Sequence, residues 1–132
     1  MRRKALAILS LSVVLPAVAA PDGEKAIECV AHRGYWNAEI PENTVEAIRR
    51  AYAAGAECVE TDFHEEKNGD MMCYHDLGRV AWVKARYSDY RMPTLEEVLA
   101  VVPKDREIQA EIKTYGPGYA EKFVKAVRAA GL

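Results

Sequence analysis

Two apolar runs in this chain each carry a pair of ionisable side chains two residues apart. Glu60 and Asp62 lie within Cys58-Val59-Glu60-Thr61-Asp62-Phe63, and Glu111 and Lys113 within Ile108-Gln109-Ala110-Glu111-Ile112-Lys113. Residues i and i+2 of a strand share one face, so each run predicts a strand with an apolar face and a charged face. Two carboxylates on one face repel, and burying them without a cation is costly. The fold must therefore bring these strand ends to a place where their charge is compensated. With 132 residues, 50% hydrophobic and 29% charged, the chain has the makings of one small globular domain and is too apolar to be disordered.

The rest of the sequence alternates between strand and helix signals. Ala26-Ile27-Glu28-Cys29-Val30-Ala31 reads as a strand running into His32-Arg33-Gly34. Asn43 and Glu46 form an Asn-x-x-Glu capping box on a helix from Thr44 to Ala54, with Gly55 where a C-terminal cap belongs. The strand from Cys58 to Phe63 leads to a polar turn around Asn68-Gly69. A further strand, Met71-Met72-Cys73-Tyr74, ends at His75-Asp76. Leu77 to Arg91 has no clear period and reads as an aromatic, basic loop over the site. Thr94 and Glu97 cap a second helix, the strand 108–113 follows, and a Gly116-Pro117-Gly118 turn precedes a third helix from Tyr119 to Ala130. Strands alternating with helices predict a parallel α/β architecture. No repeat and no low-complexity segment interrupts it.

Each expected strand carries its polar residues at its C-terminal end, which is the active face of a parallel α/β barrel. His32 and Arg33, Glu60 and Asp62, His75, and Glu111 and Lys113 thus converge from four strands. Glu60, Asp62 and Glu111 supply the oxygen donors that suit a hard divalent ion, Ca²⁺ or Mg²⁺, better than zinc. His32 and His75, titrating near neutrality, suit base and acid on opposite sides of a phosphorus. Arg33 can grip phosphate oxygens bidentately, and Lys113 adds positive charge.

At the N-terminus, Arg2, Arg3 and Lys4 precede an apolar run from Ala5 to Val18 and small residues up to Ala20, the pattern of a secretory signal peptide. The expected organisation is a leader over 1–20 and one domain over 21–132, exported to the periplasm or beyond, with no membrane anchor. Cleavage takes the basic count from 18 to 15 against 20 acidic residues, so the mature surface offers no footprint for nucleic acid or an anionic membrane. Cys29, Cys58 and Cys73 lie in apolar runs and read as buried small hydrophobes. Strand parity leaves a Cys58–Cys73 bridge as the alternative.

Taken together, Ala31-His32-Arg33-Gly34, Pro41-Glu42-Asn43-Thr44, Gly55 to Asp62, His75-Asp76, Pro93 to Leu99 and Glu111-Ile112-Lys113 resemble the glycerophosphodiester phosphodiesterases. The resemblance implies a TIM-barrel scaffold, a divalent cation, and hydrolysis of a small glycerophosphodiester to glycerol 3-phosphate and an alcohol. By position it makes His32 and His75 the acid/base pair, Glu60, Asp62 and Glu111 the metal carboxylates, and Arg33 and Lys113 the phosphate contacts. Asn43 keeps its reading as a helix N-cap, and Glu42 has no role.

Two departures from the family stand out. The stretch between His75-Asp76 and Pro93-Thr94 is shorter than the family's, and the chain ends after about the fourth β/α unit, where a barrel of about 250 residues continues. The expectation is therefore a truncated parallel barrel whose partner is a second half-barrel or a missing C-terminal half. Two other readings stay open: a related phospholipase-type lyase, and a non-catalytic half-barrel that binds metal or phosphate.

Overall fold

The computed structural model describes residues 6–9 and 28–132. In chain order the elements are β1 (Leu6–Leu9), β2 (Glu28–His32), α1 (Val45–Ala53), β3 (Cys58–Glu65), β4 (Met71–Cys73), α2 (Leu77–Arg86), α3 (Leu95–Leu99), β5 (Glu107–Thr114) and α4 (Tyr119–Ala129). The expected leader cleavage point at Ala20 lies outside the described residues. Strand β1, which falls in the segment expected to be a leader, pairs in parallel with β2, from Leu6↔Glu28 to Leu9↔Ala31.

Strand β3 organises the sheet. On one edge it pairs in parallel with β5, from Cys58↔Glu107 through Phe63↔Ile112. Its other edge is shared. The Arg33 N–H donates to the Glu60 carbonyl at 2.9 Å and the Tyr74 N–H to the Asp62 carbonyl at 3.0 Å. Carbonyls two residues apart point to the same side of a strand, so β2 takes the first half of that edge and β4 the second.

The strand at Met71 corrects the all-parallel expectation. Strand β4 runs antiparallel to β3, with Phe63↔Cys73 and Glu65↔Met71 as partners, and the sheet is mixed. The reason is chain length: only residues 66–70 separate the two strands, and a parallel crossover needs a dozen or more. Asn68-Gly69 makes the tight turn as expected, with the Asp70 N–H donating to Asn68 Oδ1 at 3.1 Å. His75 therefore reaches the site from the end of a hairpin.

The two faces of β3 do different work. Val59 and Phe63 are fully buried against Ile48 of α1 and Leu95 and Val98 of α3, joined by Tyr119 of α4. Burying a side chain of Phe63's size contributes roughly 2–3 kcal/mol. Ile108, Ala110 and Ile112 of β5 pack on the same cluster. The opposite face holds Glu60 and Asp62, also buried.

Three further expectations change. Helix α1 is capped by Thr44, whose Oγ1 accepts from the Ala47 N–H at 3.2 Å, so Asn43 is not its N-cap. Residues 77–86 form helix α2 instead of a loop. Asp76 caps it by accepting the Arg79 N–H at 2.7 Å, and Val80 and Val83 are its buried stripe. That stripe is two residues wide, too narrow to show as a period among Trp82, Lys84 and Arg86. Cys29 is exposed where burial was expected, while Cys58 and Cys73 are buried free thiols with no bridge. The Thr94/Glu97 capping box forms as anticipated.

Candidate active site

Register explains how the charged residues meet. His32 pairs with Glu60 across β2 and β3, and Asp62 pairs with Glu111 across β3 and β5. Side chains directly opposite on neighbouring strands lie about 5 Å apart at Cβ. His32 Nε2 accordingly stands 3.8 Å from Glu60 Oε2. One oxygen each from Glu60, Asp62 and Glu111 lie within 4.8 Å of one another. Asp62 Oδ1 is buried, and its neighbour among the described residues is the Lys113 ammonium at 3.1 Å. Three carboxylate oxygens this close together fit a hard divalent cation.

The electrostatics reflect that crowding. Burial, then the neighbouring Asp62 charge, pushes the Glu60 carboxyl up to about 7. Burial, followed by the Arg33 charge, lowers the His32 imidazole pKa, favouring its neutral form. His75 Nδ1 meets Asp76 Oδ2 at 2.6 Å, and this bond draws the Asp76 carboxyl below its ordinary range. Lys113 Nζ lies 2.7 Å from Glu111 Oε1 and 3.1 Å from Asp62 Oδ1. Burial works against the Lys113 charge, but bonds to Glu111 and Asp62 outweigh it and raise its pKa.

The segment Pro41-Glu42-Asn43-Thr44 supports these groups from below. Glu42 is buried, and its two oxygens accept from different guanidinium groups: Oε1 from Arg33 Nη1 at 3.1 Å and Oε2 from Arg79 Nη2 at 3.0 Å. Asn43 is buried too. Its Nδ2 donates to Asp62 Oδ2 at 2.8 Å, and its Oδ1 accepts from the Asp62 N–H at 3.3 Å and from the Cys73 thiol at 3.5 Å. Arg33 and Asn43 both adopt left-handed backbone, φ 59° and 54°, and the Asn43 N–H donates to the Arg33 carbonyl at 3.0 Å. Such conformations cost about 1 kcal/mol or more in non-glycine residues and persist where the surroundings fix them. Gly34 follows at φ 84°, where a Cβ would come within 2.7 Å of the Ala47 backbone. Close approach of this turn to α1 requires glycine.

The structure thus brings His32, Arg33, Glu60, Asp62, Glu111 and Lys113 into one linked cluster. His75 stands at the hairpin end, where His64 Nε2 lies 3.1 Å from its carbonyl oxygen and its imidazole bonds Asp76, near enough for its charge to act on His32. Four supporting residues have no site role in the sequence reading: Glu42, His64 and Asp76, which it leaves unassigned, and Asn43, which it makes a helix N-cap. Asp76 was readable as an Asp-x-x-Arg helix start. Nothing in the sequence marks Glu42 or Asn43 as partners of Arg33 and Asp62, because the contacts follow no helix or strand period and depend on how the loop folds back on the sheet.

Known proteins are similar to this chain in sequence and fold. Residues 32–89 match the family model described as the glycerophosphoryl diester phosphodiesterase family. A glycerophosphodiester phosphodiesterase of Caldanaerobacter subterraneus is 30% identical over 126 residues, covering 75% of this chain and 51% of that protein. A crystal structure of a glycerophosphodiester phosphodiesterase from Thermotoga maritima superposes with a TM-score of 0.62 at 31% identity, covering 80% of this chain and 52% of that one. One from Parabacteroides distasonis superposes at 0.64 with 25% identity, over 80% and 52%. The chain spans about half the length of these relatives.

Proposed function

We propose, because this chain belongs to the glycerophosphodiester phosphodiesterase family, that its site hydrolyses a glycerophosphodiester to glycerol 3-phosphate and an alcohol, with a divalent cation held by Glu60, Asp62 and Glu111. The observation that carries this reading is the meeting of three carboxylate oxygens within 4.8 Å, with His32 Nε2 3.8 Å from Glu60 Oε2 beside them. Calcium or magnesium bound there would neutralise phosphate charge and polarise the phosphoryl oxygen.

The chain's own residues do the rest. His32, favoured in its neutral form, takes a proton from the attacking water. His75, oriented by Asp76 at Nδ1, returns one to the departing alkoxide. Arg33, held by Glu42 and lying 3.4 Å from Asp62 through Nε, presents its guanidinium to the phosphate oxygens, and Lys113 adds a second cation. The scaffold is part of a β/α barrel in which β2, β3 and β5 are consecutive parallel strands and β4 with α2 is an excursion from the β3 end.

The test is coupled detection of sn-glycerol 3-phosphate released from glycerophosphocholine, with Mg²⁺ or Ca²⁺ and again in EDTA. Release that needs the ion and falls by about 100-fold or more in His32→Ala supports the reading. Undiminished release in EDTA, or by His32→Ala, overturns it. A cyclic phosphate as the final product assigns the site to the lyase reading instead.

Two structural proposals accompany it. Residues 1–20 direct export to the periplasm or beyond and are removed, which N-terminal sequencing of the exported protein tests. Removal takes β1 off the β2 edge, and β5 pairs only with β3 among the described residues. The two open edges then receive further strands from a second copy or from the rest of a longer protein, since unpaired edges invite pairing. Among the described residues no helix is long and apolar enough to cross a membrane.

A further inference from the structure

The position of Lys113 differs from that of a simple phosphate contact. Its ammonium bridges Glu111 Oε1 at 2.7 Å and Asp62 Oδ1 at 3.1 Å. Asp62 has no freedom to offer another oxygen. Its Oδ2 accepts from Asn43 at 2.8 Å and faces Arg33 Nε at 3.4 Å, and its backbone N–H is tied to the same asparagine. Only Oδ1 is left for an incoming cation, and Lys113 faces it. Glu111 is likewise both a member of the carboxylate trio and the closer partner of Lys113. A divalent ion and an ammonium at the same two carboxylates repel each other strongly in a partly desolvated site.

We propose that Lys113 is the resident counter-ion of the three-carboxylate site, and that loading the site with a divalent cation displaces its ammonium from Asp62 and Glu111. The inference rests on the metal-site reading above. It makes Lys113 serve two charges in sequence. Without metal, the ammonium offsets repulsion among Glu60, Asp62 and Glu111. With metal, it is released on the same face of β5, two residues beyond Glu111, and becomes available to the phosphate. The phosphate-binding cation thus exists as a free group only after the metal has arrived, so phosphate binding follows metal binding. The opposite view, that Lys113 is an independent phosphate contact, predicts no link between this lysine and the metal.

The two views differ in sign. Calorimetric titration of the metal-free chain with Ca²⁺ or Mg²⁺ should show Lys113→Met binding tenfold or more tightly than the unmodified protein, because no cation has to be displaced. The same variant should melt at lower temperature in EDTA and regain the unmodified value at saturating metal. A measurement on the unmodified chain guards against a variant that fails to fold: acetylation of Lys113, followed by mass spectrometry, should increase on adding metal as the ammonium leaves its carboxylates. Lys113→Met binding metal no more tightly, or labelling of Lys113 unchanged by metal, overturns the counter-ion role. Failure of the unmodified chain to bind metal at all overturns the metal site itself, and the inference with it.

Discussion

Replacing Glu60 by Gln should make the metal-free protein more stable at alkaline pH, although it removes a residue of the site. In the folded chain the Glu60 carboxyl holds its proton up to about pH 7, against an ordinary value of 4.5. Below pH 4.5 both folded and unfolded chains carry that proton, and Glu60 costs nothing. Between 4.5 and 7 the unfolded chain ionises first, so stability falls as pH rises, and the loss is complete above 7. At about 1.4 kcal/mol for each tenfold change in proton affinity, the full difference is worth roughly 3 kcal/mol. The side chain is 12% exposed, and solvent screening at the mouth of the site reduces the expected loss to about 2 kcal/mol. Urea denaturation in EDTA at pH 4.5 and pH 8 measures it. Glu60→Gln should gain about 2 kcal/mol on the unmodified protein between the two pH values. Adding Ca²⁺ or Mg²⁺ at a hundred times its dissociation constant should then raise the unmodified protein by about 2.7 kcal/mol and the variant by much less. A difference between the two proteins that stays constant with pH would refute the argument that burial and Asp62 hold this proton in place.

Asn43→Ala removes the donor to Asp62 Oδ2 and the acceptor for the Asp62 N–H, and should cost about 2–3 kcal/mol in chemical denaturation because the acceptor is charged and buried. Gly34→Ala places a Cβ 2.7 Å from the Ala47 backbone at φ 84°, so it should lower the melting temperature far more than the few degrees of a typical surface change. Asp76→Asn keeps a cap for α2 but leaves His75 Nδ1 without its carboxylate. It should leave helix content by circular dichroism intact while kcat for the proposed release of sn-glycerol 3-phosphate falls by about tenfold or more.

What the sequence disclosed and what it withheld divide along a physical line. Parity along one strand is local, so Glu60 and Asp62 could be put on one face of β3 from spacing alone, and Glu111 with Lys113 on one face of β5. The Thr94/Glu97 capping box is equally local and forms as read. The direction of β4 was also legible: Asn68-Gly69 was recognised as a tight turn, and a turn that short joins only antiparallel strands. Helix α2 was hidden because its buried stripe is Val80 and Val83 alone, with Gly78 weakening the propensity of its first turn.

Asn43 shows where local reasoning fails for a different cause. An Asn three residues before a Glu, ahead of an apolar run, satisfies the rule for a capping box, and Thr44 beside it satisfies the rule for a cap as well. Tertiary charge decides between them. Asp62 is fully buried and needs a donor, and Asn43 reaches it only from left-handed backbone, which Asn adopts more readily than most residues. Capping then falls to Thr44, whose extended backbone suits that role. The same short loop aims Glu42 at Arg33, so one turn of chain fixes both Asp62, proposed to hold the cation, and Arg33, proposed to contact the phosphate. A displacement of that loop would disturb the two together, although the pairing of β2 with β3 sets where they stand.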